Sequence, residues 1–202
     1  MRGLLDGIKR KFKDVRINKL ARELLAMEDS ISSGFINSLQ DFSHEEITCI
    51  LREAYPSMES DLQKQLLIVL KDQGYMEVVY EGLNKGSEKE IIYSLELLAL
   101  LKPIDAMHLI FRKLADNRES IRFEAAHTLI QYKDRRVVKL AVKKLKQDGS
   151  YLPARLAQIL VGYGSLAVLE LTKNLNNPRL DTDMIRDILA LMPDEEIGQE
   201  GG

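Results

Sequence analysis

The segment Ile121-Arg-Phe-Glu-Ala-Ala-His-Thr-Leu129 places apolar residues at Ile121, Ala125, Ala126 and Leu129, the i, i+4, i+5, i+8 spacing of one helix face. Thirty-one residues on, Leu152, Leu156, Ala157 and Leu160 fill the same slots. Earlier in the chain Ile91, Leu95 and Ala99 fill them, as do Leu62, Leu66, Leu67 and Leu70, and before those Ile31, Phe35, Ile36 and Leu39. Near the end Met184, Ile188, Leu189 and Met192 complete the series. Each helix leads through a short polar or Gly/Pro break into a second apolar-periodic stretch. The breaks are Asp72-Gln-Gly74, Lys102-Pro103, Lys133-Asp134 and Gly162-Tyr-Gly164. The second stretches carry Val78, Val79 and Leu83; Met107, Ile110, Phe111 and Leu114; Val137, Val138, Ala141 and Leu145; and Leu166, Leu169 and Leu175. Turn-forming clusters such as Asn84-Lys-Gly-Ser87 and Asn176-Asn-Pro178 separate one unit from the next.

The pattern is helix A, tight turn, helix B, loop, and no strand pattern is sustained. A single pair this short cannot hide both apolar faces, so the pairs must stack. The prediction is an all-α chain of about five stacked antiparallel helix pairs closed by a final capping helix from about Leu180 to Met192. Residues 1–30 form a basic amphipathic helical segment, 31–193 the repeat domain and 194–202 an acidic flexible tail. Capping signals agree with the helix starts. Ser43-His-Glu-Glu46 has capping-box spacing, Asp134 and Ser165 stand where second helices should begin, and Pro153 falls in a first turn.

With Ile121-Arg122, Ala125-Ala126, Leu129, a turn Asp and then Val137-Val138 and Leu145, the chain resembles the short HEAT-repeat family, over most of Ile31 to Met192. That resemblance implies a right-handed α-solenoid used mostly as a protein–protein scaffold, with B helices lining the concave surface. A minority of such proteins act on bilin chromophores or damaged DNA, so a chromophore-handling or lyase subunit is the enzymatic alternative.

Composition narrows the reading. Hydrophobic residues make up 45% and charged residues 30%, which excludes wholesale disorder. Twenty-nine Lys+Arg against 31 Asp+Glu give a net charge of −2, so any anion site must be a local patch. Cys49 is the lone cysteine, so no intrachain disulfide can form. The longest apolar runs, Leu66–Leu70 and Leu97–Leu101, fall far short of the roughly 20 residues of a membrane span. The start of the chain does not read as a signal peptide, and a cytoplasmic protein is expected.

Two places could carry function. Aligning B helices by the repeat period brings Glu81, Arg112, Lys143 and Lys173 into one column and Glu77, His108 and Lys139 into another. Arg136, Lys139, Lys143 and Lys146 follow i, i+3, i+7, i+10, a single stripe, and Gln131–Lys146 holds seven basic residues against the one acid Asp134. A groove lined by these groups would suit an acidic helix, an acidic tail or a phosphate. The plain alternative is a solvated face with a pair such as Glu81 and Arg112, worth about 0–1 kcal/mol if exposed. The second place is the N-terminus, where Leu4, Leu5, Ile8, Phe12 and Val15 gather on one face flanked by Lys9, Lys13 and Arg16. Such a face, with Lys9, Phe12, Lys13 and Arg16 as contacts, would lie on an anionic membrane or would cap the first repeat.

Catalytic constellations are weak. His44, His108 and His127 lie on different helices without metal-ligand spacing, and the glycines punctuate helix ends instead of forming a phosphate loop. Cys49 sits among Ile47, Ile50 and Leu51 as a buried thiol would. Six tyrosines from Tyr75 to Tyr163 recur near helix ends, where they pack between repeats. The expectation is therefore a non-enzymatic scaffold or adaptor without cofactor or metal. It would bind an acidic segment of another protein through Arg112, Arg136, Lys139, Lys143, Lys146 and Lys173. Nucleic acid and small-molecule substrates are not expected as partners.

Overall fold

A computed structural model describes residues 15–28, 30–146 and 152–193, with every side chain among them except that of His44. Helices and turns account for the described residues, and no strand occurs among them. Residues 15–25 form α1, followed by α2 (Ser33–Leu39), α3 (His44–Ala54), α4 (Ser60–Asp72), α5 (Tyr75–Lys85) and α6 (Glu88–Leu101). After these come α7 (Met107–Lys113), α8 (Glu119–Gln131), α9 (Arg135–Lys143), α10 (Pro153–Tyr163), α11 (Ser165–Lys173) and α12 (Thr182–Ala190). The chain divides into two compact units, Met1–Pro103 and Ile104–Gly202.

The first unit is built on two helices that begin alike. Ser43 Oγ accepts from the Glu46 N–H at 3.4 Å while Glu46 Oε2 accepts from the Ser43 N–H at 2.8 Å, so the expected capping box is present. Ser87 and Glu90 repeat it at the start of α6, at 3.4 and 2.7 Å. Both boxes satisfy amides that a helix start leaves without partners. These two helices pack side by side and run parallel. Lys89 Nζ meets Glu45 Oε2 at 3.2 Å, Tyr93 Oη donates to Glu45 Oε1 at 3.2 Å, and Arg52 pairs with Glu96. The two ion pairs share one offset of 44 residues, the same that separates Ser43 from Ser87. Ile47, Ile50, Leu51, Ile91, Leu95 and Leu98 bury the apolar sides of this pair. Between them in sequence, α4 and α5 turn back on each other at Gly74, whose φ of 71° suits glycine, and α5 packs on α6. Lys102 ends α6 in the left-handed region at φ 50°, with Pro103 directly after it.

Of the N-terminal segment, Lys9, Phe12 and Lys13 lie outside the described residues, with Leu4, Leu5 and Ile8. In α1, Ile17, Leu20, Ala21 and Leu24 are buried while Val15 is exposed, so the burying face is centred beyond the one expected around Val15. The Arg16 guanidinium stands 4.6 Å from the centre of the Phe42 ring, a cation–π contact that occupies this residue within the unit.

In the second unit α8 packs on α10, α10 on α12, and α9 on α11. Helices α7 and α8, α9 and α10, and α11 and α12 also touch. Ile121, Ala125, Ala126 and Leu129 are all fully buried, as are Val137, Val138, Ala141 and Leu145. Pro153 stands at the first position of α10 and Asp134 caps α9, as the sequence predicts. Ser165 does not cap α11. Gly164, at φ 56° and ψ −132°, takes the cap position because only glycine adopts that backbone readily, and Ser165 falls inside the first turn. Other apolar positions also differ. Val78 is 53% exposed while Met76 and Val79 are buried, and Leu166 is 42% exposed while Ala167 and Leu171 are buried. In α12 the buried residues are Ile185 and Ile188, with Met192 buried just past its end, so the helix is rotated about one position from the Met184–Leu189 face. Periodicity locates an apolar face to within a residue; neighbours decide its centre. Cys49 is half-buried, more open than its surroundings suggested.

Candidate functional site

Helices α7 and α9 bury one side each and turn basic groups outward. In α7, Met107, Ile110 and Phe111 are buried and His108 and Arg112, one turn apart, are exposed. In α9, Val137, Val138, Ala141 and Val142 are buried and Arg135, Arg136, Lys139 and Lys143 are exposed. Neither helix contains an acidic residue. A shallow cleft of about 330 Å³ lies between them, lined by His108, Phe111, Arg112, Leu140 and Lys144. Its lining is apolar at Phe111 and Leu140 and cationic at Arg112 and Lys144, and Lys139 and Lys143 each stand one position before a lining residue.

The stripe expected along α9 is only partly present. Arg136 is held by Asp134, whose carboxylate accepts its Nε at 2.9 Å, its Nη2 at 2.6 Å and its backbone N–H at 2.8 Å. That grip keeps the Asp134 carboxyl below the usual range and raises the guanidinium above its own. The helix ends at Lys143, so Lys146, though exposed, lies beyond it and off the stripe. Lys173 is exposed in the last turn of α11. Arg112, Lys139, Lys143 and Lys173 make no ion pair among the described residues, whereas Glu81 pairs along its own helix with Lys85 at 3.3 Å.

Several other cations of this unit are engaged. Asp116 accepts from Arg118 Nε and Nη2 at 2.9 and 3.0 Å, and those bonds hold its carboxyl below the usual range. Arg122 reaches back to the carbonyls of Asp116 and Asn117 at 2.7 and 2.9 Å and pairs with Glu119, which Arg155 also meets. Arg186 pairs with Asp183 at 2.6 Å. Burial and the neighbouring Arg112 and Arg118 lower the Lys113 pKa despite the pull of Asp116. On the α7–α9 face, Arg112, Lys139 and Lys143 are exposed cations outside those pairings.

Other candidate groups do not assemble into a reacting centre. His127 Nδ1 lies 3.7 Å from Glu124 on α8, away from the cleft. Among the described residues no group of three or more His, Cys, Asp or Glu side chains is placed to hold a metal ion. No helix among them is long and apolar enough to cross a membrane. The cleft residues Phe111, Leu140 and Lys144 were not singled out by spacing, because Phe111 reads as core and Leu140 lies between stripe and core. Comparison of the chain with protein-family models, with curated proteins and with solved structures finds no match.

Proposed function

We propose that the chain is a HEAT-like helical-repeat interaction module whose α7–α9 face takes an acidic, amphipathic segment of a partner protein. The observation that carries this reading is a cleft lined by apolar and cationic side chains between two helices without any acid. Apolar residues of a docking helix fit over Phe111 and Leu140, and its carboxylates meet Arg112, Lys139, Lys143 and Lys144. A free phosphate would use the cations and leave the apolar lining idle. The stacking of α8, α10 and α12, and of α9 on α11, supports the repeat reading.

The test is fluorescence anisotropy with the full chain and a labelled peptide carrying Glu and Leu at helical spacing. The K139E/K143E variant should bind at least about tenfold more weakly, since each reversed charge changes attraction into repulsion. R186E on α12 serves as the control and should bind as the parent does. Equal affinity for K139E/K143E and the parent chain overturns the proposal.

A further inference from the structure

We propose that residues 1–14 of the chain fold back onto an apolar cleft of the first unit, with Leu4, Leu5 and Ile8 as the side chains that meet it. The cleft, of about 130 Å³, is lined by Ile36 and Leu39 of α2, Val69 and Leu70 of α4 and Val78 of α5. No charged group lines it, and Val78, though apolar, is 53% exposed. Acids stand next to its lining in sequence: Asp41 follows Gln40, Asp72 precedes Gln73 and Glu77 precedes Val78, with Lys71 the one base so placed. Glu77 Oε2 lies 3.9 Å from where a Cβ on the lining residue Gly74 would stand, which sets this carboxylate beside the cleft. Asp41, Asp72 and Glu77 are exposed and make no ion pair among the described residues.

Residues 1–14 carry the matching chemistry. Leu4, Leu5 and Ile8 fall at i, i+1 and i+4, one side of a single helical turn, and Arg2, Lys9, Arg10, Lys11 and Lys13 outnumber Asp6 and Asp14. The apolar group fits the uncharged lining and the bases fit the acids around it. An anionic membrane would attract the same bases but would meet the three acids as like charge.

Reach permits the contact. The described chain begins at Val15, and the guanidinium of Arg16 beside it stands 4.6 Å from the centre of the Phe42 ring. Phe42 is one turn from the cleft, since its N–H donates to the carbonyl of the lining residue Leu39 at 3.2 Å. A helix-to-helix step of about 8–10 Å from α1 to α2, about 5 Å along that turn and half a further step to the middle of the cleft amount to about 20 Å. Counted from Val15 along an extended chain, Ile8 reaches about 23 Å, Leu5 about 33 Å and Leu4 about 36 Å. All three therefore arrive, while Phe12, at about 10 Å, stops short and takes no part.

The experiment is carbodiimide cross-linking of the monomeric full chain, with the joined peptides read by mass spectrometry. The parent chain should link Lys9 or Lys11 to Asp72 or Glu77 within one chain. L5E/I8E keeps every lysine but loses two buried aliphatic side chains, which weakens docking about a hundredfold, so the link should form at least about fivefold less. V78E should lower it likewise from the other side of the contact, and the exposure of Val78 leaves the buried side of α5 intact. No such link in the parent chain, or links formed only between two chains, overturns the proposal. An equal yield in L5E/I8E overturns it too, because the link then reports a wandering segment and not a docked one. Sedimentation with phosphatidylserine vesicles supplies the remaining check: the parent chain should stay in solution as L5E/I8E does, and vesicle binding that L5E/I8E abolishes assigns the apolar group to a membrane and overturns the proposal. The α7–α9 reading stands or falls separately, on K139E/K143E.

Discussion

Replacing Tyr163 by Phe removes one oxygen and leaves the ring in place, which isolates what that oxygen does. Tyr163 closes α10 and is buried. Its hydroxyl donates to the Leu129 carbonyl at 2.9 Å and accepts from the Asp134 N–H at 3.2 Å. Both partners belong to the α8–α9 turn: the carbonyl lies in the last turn of α8, and the amide belongs to the residue that caps α9. Without the hydroxyl, a buried carbonyl and a part-buried amide lose their partner together. An orphaned buried group costs about 1–3 kcal/mol, so the pair should cost about 2–3 kcal/mol. Urea unfolding followed by far-UV circular dichroism measures this directly. A loss below about 0.5 kcal/mol, the range of an indifferent surface change, would refute the argument that this oxygen joins α10 to the turn.

The same residue fixes a pH dependence. Burial pushes the Tyr163 phenol from its ordinary 10.0 up to about 12. The folded chain then holds that proton more tightly than the unfolded chain, so its contribution is complete below pH 10 and is lost as pH climbs toward 12. Tyr163→Phe should flatten the alkaline fall in stability. Part of the slope remains, since burial also raises Tyr75 and Tyr55.

Two backbone positions yield further tests. A Cβ at Gly86 would lie 2.4 Å from the Gly82 carbonyl oxygen and 2.8 Å from Glu90 Cβ, so Gly86→Ala should destabilise by about 1–3 kcal/mol. An unchanged thermal midpoint would show that the α5–α6 junction opens without cost. Lys102 is exposed and held at φ 50°, so Lys102→Gly should stabilise by up to about 1 kcal/mol, read as a higher urea midpoint; a lower one contradicts it.

Much of the fold was legible because helix-forming apolar spacing is dense and the breaks are chemically sharp. Ile121, Ala125, Ala126 and Leu129 were found from spacing alone, and each is fully buried. Where spacing misled, at Val78, Leu166 and α12, two adjacent apolar residues competed for one face and packing chose between them. The cationic face was legible in His108, Arg112, Lys139 and Lys143, which lie on the two helices that border the cleft. Arg136 was not legible as a paired residue from helical periodicity. A local signal for it exists: Asp116-Asn-Arg118 and Asp134-Arg-Arg136 both place an Asp two residues before an Arg, and both close the same fork. The parallel α3–α6 pair was missed for another reason. Ser43-x-x-Glu-Ile-x-x-x-Leu51 recurs as Ser87-x-x-Glu-Ile-x-x-x-Leu95, at a spacing longer than the roughly thirty-residue period that governs the rest.

Two helices that point the same way cannot be joined by a tight turn, so the whole α4–α5 hairpin serves as the return path between α3 and α6. The ends of that path must be brought together before Glu45 can find Lys89 or Arg52 can find Glu96, and closing so long a loop carries an entropy that the local α4–α5 and α5–α6 contacts do not. The α4–α5 and α5–α6 contacts are thus the local ones of the first unit, and the α3–α6 pairing is its long-range closure.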